Sequence, residues 1–204
     1  MTTWTFKGPL VAFGLLTLVA CEAGQGSGPG ATGSRAAGET AAPVSRARMA
    51  DGVVLVAPSG FCIDRSSLEP RFAVMARCDG LGVPSAAGGA PLGLITVSLT
   101  NAQTGPLPSA KQIAGAAALQ KLSNVQQSDD QVVFRAQGRV PIEGLSAFQW
   151  RAIVRIGSQI AGIAVYGPQN GQVVTATGRA VLLQLVERSI AATPEPKTLV
   201  TTRR

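Results

Sequence analysis

The 204-residue chain contains no histidine. That absence excludes a Ser-His-Asp arrangement and a Cys-His pair as means of activating a nucleophile. It also removes a common zinc ligand, and the thiols that remain are too few for a four-ligand site, so no metal is expected. Aromatic residues are scarce, with 6 Phe, 2 Trp and 1 Tyr. Phe61, Phe72, Phe134, Phe148, Trp150 and Tyr166 sit in strand-like runs and read as core, not as a stacking platform for single-stranded nucleic acid. The formal charge of +7 includes Lys7 near the start and Arg203 and Arg204 at the end. Between residues 51 and 190 there are 11 basic and 8 acidic side chains, leaving only +3. Such a balance predicts no nucleic-acid partner; it fits an ordinary solvated surface or loose contact with anionic lipid head groups. Glycine is plentiful, but Gly-x-x-x-x-Gly-Lys-Ser/Thr is missing, and Gly157 to Gly162 falls between two strand-like runs instead of opening a helix. No cofactor is expected.

A long apolar run is also missing. Leu10 to Ala20 is eleven residues, about 16 Å of helix, short of the roughly 30 Å hydrocarbon layer. With Lys7 ahead of it and Leu18-Val19-Ala20-Cys21 at its end, the segment reads as an export signal. Those last four residues resemble the lipobox of bacterial lipoproteins. The resemblance implies diacylglycerol on the Cys21 sulfur, cleavage before Cys21 and acylation of the new amine, and several acyl chains exceed the limit below which attachment is reversible. Glu22, where an aspartate often retains such proteins in the inner membrane, implies the outer membrane, facing the periplasm. The expected layout is a signal peptide over 1–20, a lipidated amino terminus and flexible linker over 21–48, a domain over 51–190 and a disordered tail over 191–204. The linker is Gly-rich without an apolar period, so it buries too little to offset its backbone entropy. The competing reading is an ordinary secretory leader in which Cys21 is incidental.

With Cys21 assigned to lipid, Cys62 and Cys78 form an even pair, and export makes a disulfide permissible. Both lie in or beside expected strands, 53–57 continuing at 61–63, and 72–78, which a hairpin brings together. Without Cys-x-x-Cys spacing, a redox role is not expected.

The remaining pattern predicts an α+β domain: an antiparallel sheet with packed helices. A long exposed loop is expected between Cys78 and Leu92, then a strand over 92–99. A helix is expected over 110–122, entered at Leu107-Pro-Ser109. A turn at 128–131 leads to a strand over 132–140. Two runs, 148–156 and 159–166, are joined by Gly157-Ser158 as a two-residue hairpin, and the second, apolar on both faces, is expected to lie centrally. Val174, Val181, Leu182, Leu185 and Val186 give a closing amphipathic helix over 173–190. The Pro58-Ser-Gly-Phe61 turn, the paired runs at 148–166 and the helix ending at Ser189 resemble the PsbP/Mog1/DcrB-like fold. That resemblance implies a central antiparallel sheet with helices against it and assigns no functional residue.

For function, the pattern favours a non-catalytic binding or envelope-assembly role. The expected partners are the bilayer through acylated Cys21, and an envelope protein, peptidoglycan or a small hydrophobic ligand. Trp150, Arg151 and Arg155 are candidate surface contacts if their strand leaves a face exposed; otherwise Trp150 is core. One alternative is a carboxylate-dependent hydrolase, which requires Asp64, Glu69, Asp79 or Asp129 to converge. Another is a purely structural accessory subunit of a membrane complex.

Overall fold

The computed structural model describes residues 42–195 apart from Ala87 and Gln103. Cys21 and the expected leader lie outside the described residues, as does the tail from residue 196. In chain order the strands and α-helices are β1 (Arg46–Arg48), β2 (Val54–Val56), β3 (Phe61–Ile63), β4 (Phe72–Arg77), β5 (Leu94–Asn101), α1 (Ala110–Ala116), β6 (Gln120–Gln127), β7 (Gln131–Gln137), β8 (Phe148–Ile156), β9 (Gln159–Tyr166) and α2 (Ala176–Ala192). Seven strands form one antiparallel sheet in the order β3-β4-β5-β9-β8-β7-β6, and β1 and β2 make a separate two-stranded ribbon. The α+β architecture expected from the sequence is therefore present.

Alternation along the strands sends two sets of side chains to opposite faces. Ile95, Val97 and Leu99 of β5, Ala161, Ile163 and Val165 of β9, and Trp150, Ala152 and Val154 of β8 share one face through their registers. They form the main core with Leu55 of β2 and Leu182, Leu185 and Val186 of α2. On the other face, Val132, Phe134 and Ala136 of β7 pack beneath Ala110 and Ala114 of α1 in a second, smaller cluster. β9 holds the central position, as its two apolar faces predict, and Gly157 turns the β8–β9 hairpin with φ 58°.

Three expectations change. The helix expected over 110–122 ends at Ala116. It opens as expected at Ser109, whose backbone N–H and Gln112 form a capping box, but Ala118 adopts φ 51° and the chain reverses into β6. The alanines favour helix locally, yet β6 gains its hydrogen-bond partners by pairing with β7 across two register shifts. At the amino-terminal side, β1 lies within the stretch expected to be linker. At the carboxyl-terminal side, α2 continues to Ala192, beyond the expected boundary at 190. Thr193 then follows the helix, its hydroxyl accepting from the Val54 N–H at 3.0 Å.

Cys62 and Cys78 are disulfide-bonded, 16 residues apart with a Cα–Cα distance of 4.9 Å. The bond joins β3 to the end of β4, where the loop expected between 78 and 92 begins. This loop contains two short 3-10 turns and is tied back by Arg77, whose Nη1 donates to the Ala90 carbonyl at 3.4 Å. Replacing both cysteines with serine is expected to cost about 3 kcal/mol by restoring the entropy of the open loop in the unfolded chain, measurable as a lower denaturant midpoint, with a slope equal to or steeper than that of the natural chain because the unfolded chain is less compact.

The start of α2 makes a close approach. Thr175 caps the helix by accepting from the Thr177 N–H, and a Cβ added at Gly178 would lie 1.6 Å from the Val173 carbonyl oxygen and 2.9 Å from Trp150 Cδ1. Helix propensity alone predicts that Gly178→Ala stabilises by about 1 kcal/mol. The contact predicts the opposite sign, a loss of about 1–3 kcal/mol. Equilibrium unfolding decides between them, and a more stable variant would contradict the observed approach.

Candidate functional site

β7 and β8 pair with Arg135 opposite Trp150, so both side chains stand on the face that carries α2. Trp150 is 2% exposed, and its Nε1–H donates to the Thr175 carbonyl at 2.6 Å. This bond fixes the first turn of α2 above β8. α2 covers β8 and β9, and beside its first turns lies a cavity of about 470 Å³. Asn124, Val125 and Gln126 of β6 form one wall, and Val174 to Ala176 and Arg179 form the other, with Arg135 and the edge of Trp150 between them.

The electrostatics of this cavity come from two arginines. Arg135 places its guanidinium carbon 4.4 Å from the centroid of the Phe148 ring, and its Nε is buried without a hydrogen-bond partner. Arg179 donates from Nη2 to Gln126 Oε1. No Asp or Glu lines the cavity, and the ion pairs among the described residues are Arg71–Asp51, Arg77–Asp79 and Arg155–Asp130, so neither cavity arginine is neutralised by a carboxylate. The α2 amino terminus adds a partial positive charge at the same place. The Thr175 hydroxyl is already engaged, donating to the Gln172 carbonyl at 2.6 Å. The arrangement offers fixed positive charge and an aromatic edge.

Trp150, Arg151 and Arg155 do not form one surface. Trp150 is core, a correction to its place among the candidate surface contacts, because the β8 face that carries it is covered by α2. Arg151 and Arg155 point to the opposite face. Arg151 donates to Tyr166 Oη at 3.2 Å, with its guanidinium 5.5 Å from the centroid of that ring. Burial lowers its pKa from the ordinary arginine range, and the interaction with Tyr166 opposes the shift. Arg155 donates to the Gly105 carbonyl and pairs with Asp130 at 3.5 Å. Arg135 and Arg179 escaped the sequence reading. The alternation of Phe134, Arg135 and Ala136 marks Arg135 as facing away from the α1 side, but nothing in the chain announces that Arg179 arrives beside it.

The acids proposed to converge are held in separate local arrangements. Asp64 accepts from the Ser66 N–H at 2.9 Å, Glu69 sits in the bend before β4 and bridges to Phe72, and Asp129 and Asp130 occupy the β6–β7 turn beside Arg155. β4 and β7 are four strand steps apart, about 19 Å. Among the described residues no three His, Cys, Asp or Glu side chains group as metal ligands.

Asp79 is held by Arg77, whose Nε donates to Asp79 Oδ1 at 2.7 Å. That hydrogen bond lowers the carboxyl pKa below the usual range, against the opposing effect of desolvation. A depressed folded-state pKa contributes stability that is present above the unfolded value of about 3.9 and lost as pH falls through the folded one. The stability advantage of the natural chain over Asp79→Asn should therefore be flat above about pH 5 and vanish in more acid solution. Urea unfolding at a series of pH values measures it, and a difference that persists at the acid end would contradict the pairing.

Comparison with protein-family models gives no match, and no curated protein matches the chain.

Proposed function

We propose that the chain is a bacterial envelope lipoprotein, anchored through acylated Cys21, facing the periplasm from the outer membrane, and that its α+β domain performs a non-catalytic binding or assembly role. The observation that carries the binding role is the cavity at the start of α2. It presents two arginines without carboxylate partners beside an aromatic edge, a lining suited to holding a ligand in place. The anchor is supported by the Leu18-Val19-Ala20-Cys21 motif after a short apolar run. The Cys62–Cys78 disulfide is in keeping with an oxidising space outside the cytoplasm. Asp129 lies across the sheet from β4, Asp79 is engaged by Arg77 and Asp64 by its own turn, which weighs against the carboxylate hydrolase, since a paired-acid mechanism needs two free groups within reach of one bond.

Mass spectrometry of the membrane-extracted protein from its native host tests the anchor. The expected species begins at Cys21, carries diacylglycerol and an amide-linked acyl chain, and has Cys62 and Cys78 oxidised. An unacylated product with Met1 intact and free thiols would refute the proposal. Crosslinking of intact membranes, followed by recovery of the acylated protein, tests the role: a specific envelope partner or a bound small molecule is expected, whereas turnover of an envelope substrate by the purified protein would replace binding with catalysis.

A further inference from the structure

We propose that the cavity beside the first turns of α2 binds a small organic oxyanion, its charged group held between Arg135 and Arg179 and its organic part against Val125, Val174 and the edge of Trp150. The inference rests on the non-catalytic binding role above and gives it a ligand class. Charge is the first reason. Each arginine would lose hydration on closing against other groups, and an unneutralised cation in a partly enclosed site attracts an anion more strongly than one in open water. The Arg135 guanidinium is already placed by its stacking on Phe148, so little orientational freedom remains to be lost on binding. Its Nε is buried, so an oxyanion in the cavity would meet the terminal nitrogens of the guanidinium, which suit a planar or tetrahedral acceptor. The start of α2 favours the same sign of charge.

Size and the exposed Val125 favour an organic ligand over a bare ion. About 470 Å³ is far more than a bare phosphate fills and falls in the range of small-molecule sites. Val125 is 49% exposed, an apolar side chain at the rim that a bound organic group would cover. A second cavity, lined by Arg46 and Arg48 with Val54 and Pro194, also lacks a carboxylate, but at about 200 Å³ it falls below the range of small-molecule sites. The one containing Arg155 also contains Asp129 and Asp130, which cancel its positive charge. The one along the far end of α2 is lined by Leu183, Val186 and Ile190 with Glu187, which disfavours an anion.

An oxyanion of this kind can belong to a soluble molecule or to a lipid head group, and the test separates the two. Phenyl phosphate is titrated calorimetrically into the full chain in detergent micelles, with inorganic phosphate and benzyl alcohol as the charge-only and body-only probes. Phenyl phosphate is expected to bind more tightly than either and to weaken as salt rises. Arg135→Gln and Arg179→Gln should each weaken it about tenfold or more, while Arg65→Gln, an exposed arginine elsewhere, leaves it unchanged. Arg135→Lys, which keeps the charge but not the fork, should give an intermediate loss, and circular dichroism on every variant separates lost binding from lost folding. Competition by phosphatidylglycerol added to the micelles, but not by phosphatidylcholine added likewise, assigns the oxyanion to a head group; absence of competition assigns it to a soluble molecule. Binding that is indifferent to both arginines in folded variants overturns the proposal, as does benzyl alcohol binding as tightly as phenyl phosphate, or no binding of phenyl phosphate or phosphatidylglycerol. If the arginine variants fail to alter binding while Cys21 is acylated and an envelope partner is captured, only the ligand class falls. If the chain proves unacylated but the arginine dependence holds, the anchor falls and the oxyanion site stands.

Discussion

The hydrogen bonds that pin α2 at both ends set the geometry on which the main core and the cavity depend. A two-stranded ribbon leaves one edge of each strand without a ladder partner, and buried N–H groups left so are costly. On β2 that edge is closed by a helix. Val56 N–H donates to Ser189 Oγ at 3.1 Å and Val54 N–H to Thr193 Oγ1 at 3.0 Å. Arg188 in turn donates to the Ala57 carbonyl at 2.8 Å. This accounts for a fully buried serine in the last turns of the helix. At the other end the Trp150 indole holds the Thr175 carbonyl. Between these anchors Leu182, Leu185 and Val186 descend into the core, so polar bonds fix the position of the helix and apolar burial supplies most of its stabilisation.

With α2 so placed over β8 and β9, two arginines on neighbouring strands meet different surroundings by the alternation of the sheet. Arg135 faces the α2 side and lies over Phe148; Arg151 faces the other side and lies over Tyr166. In both cases an aromatic ring takes the place that a carboxylate occupies beside Arg77, Arg71 and Arg155. A ring holds a guanidinium without cancelling its charge. Each of the two also keeps a buried Nε without a partner. Arg151 spends a remaining donor on the Tyr166 hydroxyl, whereas Arg135 borders open volume. That difference in surroundings, and not any difference in residue type, separates a packed arginine from one available to a ligand.

Much of the architecture was legible because it follows from short-range pattern. The β8–β9 hairpin is announced by two alternating runs around Gly157-Ser158, the core face of α2 by the spacing of Leu182, Leu185 and Val186, and the disulfide by two cysteines on adjacent strands. β6 was not legible, since Gln-Lys-Leu-Ser-Asn-Val-Gln-Gln carries no apolar alternation and is a strand only because β7 offers it partners; Lys121 and Asn124 even adopt positive φ within it. β1 was hidden for a similar reason: three residues flanked by a polar segment make a strand only opposite β2. The cavity was the least legible feature. Arg135 and Arg179 are 44 positions apart in the chain, and their convergence depends on the β7–β8 register together with the Trp150–Thr175 bond, neither of which a local pattern encodes.

The charge balance shows why composition undervalued this region. A surplus of +3 between 51 and 190 is unremarkable when spread over a surface, and its average says nothing about position. In the fold, however, Asp51, Asp79 and Asp130 are committed to Arg71, Arg77 and Arg155, and Asp64 is committed to capping its own turn. Pairing removes those charges from the long-range field, so the uncompensated remainder falls on fewer sites, two of which share one cavity. Fields of this kind act within a Debye length of about 8 Å at physiological ionic strength, so the location of an unpaired arginine matters more to a ligand than the net charge of the chain. The cavity at the start of α2 thus differs from the surroundings of Arg71, Arg77 and Arg155 in what answers its charge: there a carboxylate meets each guanidinium, whereas Arg135 and Arg179 share one space that no carboxylate lines.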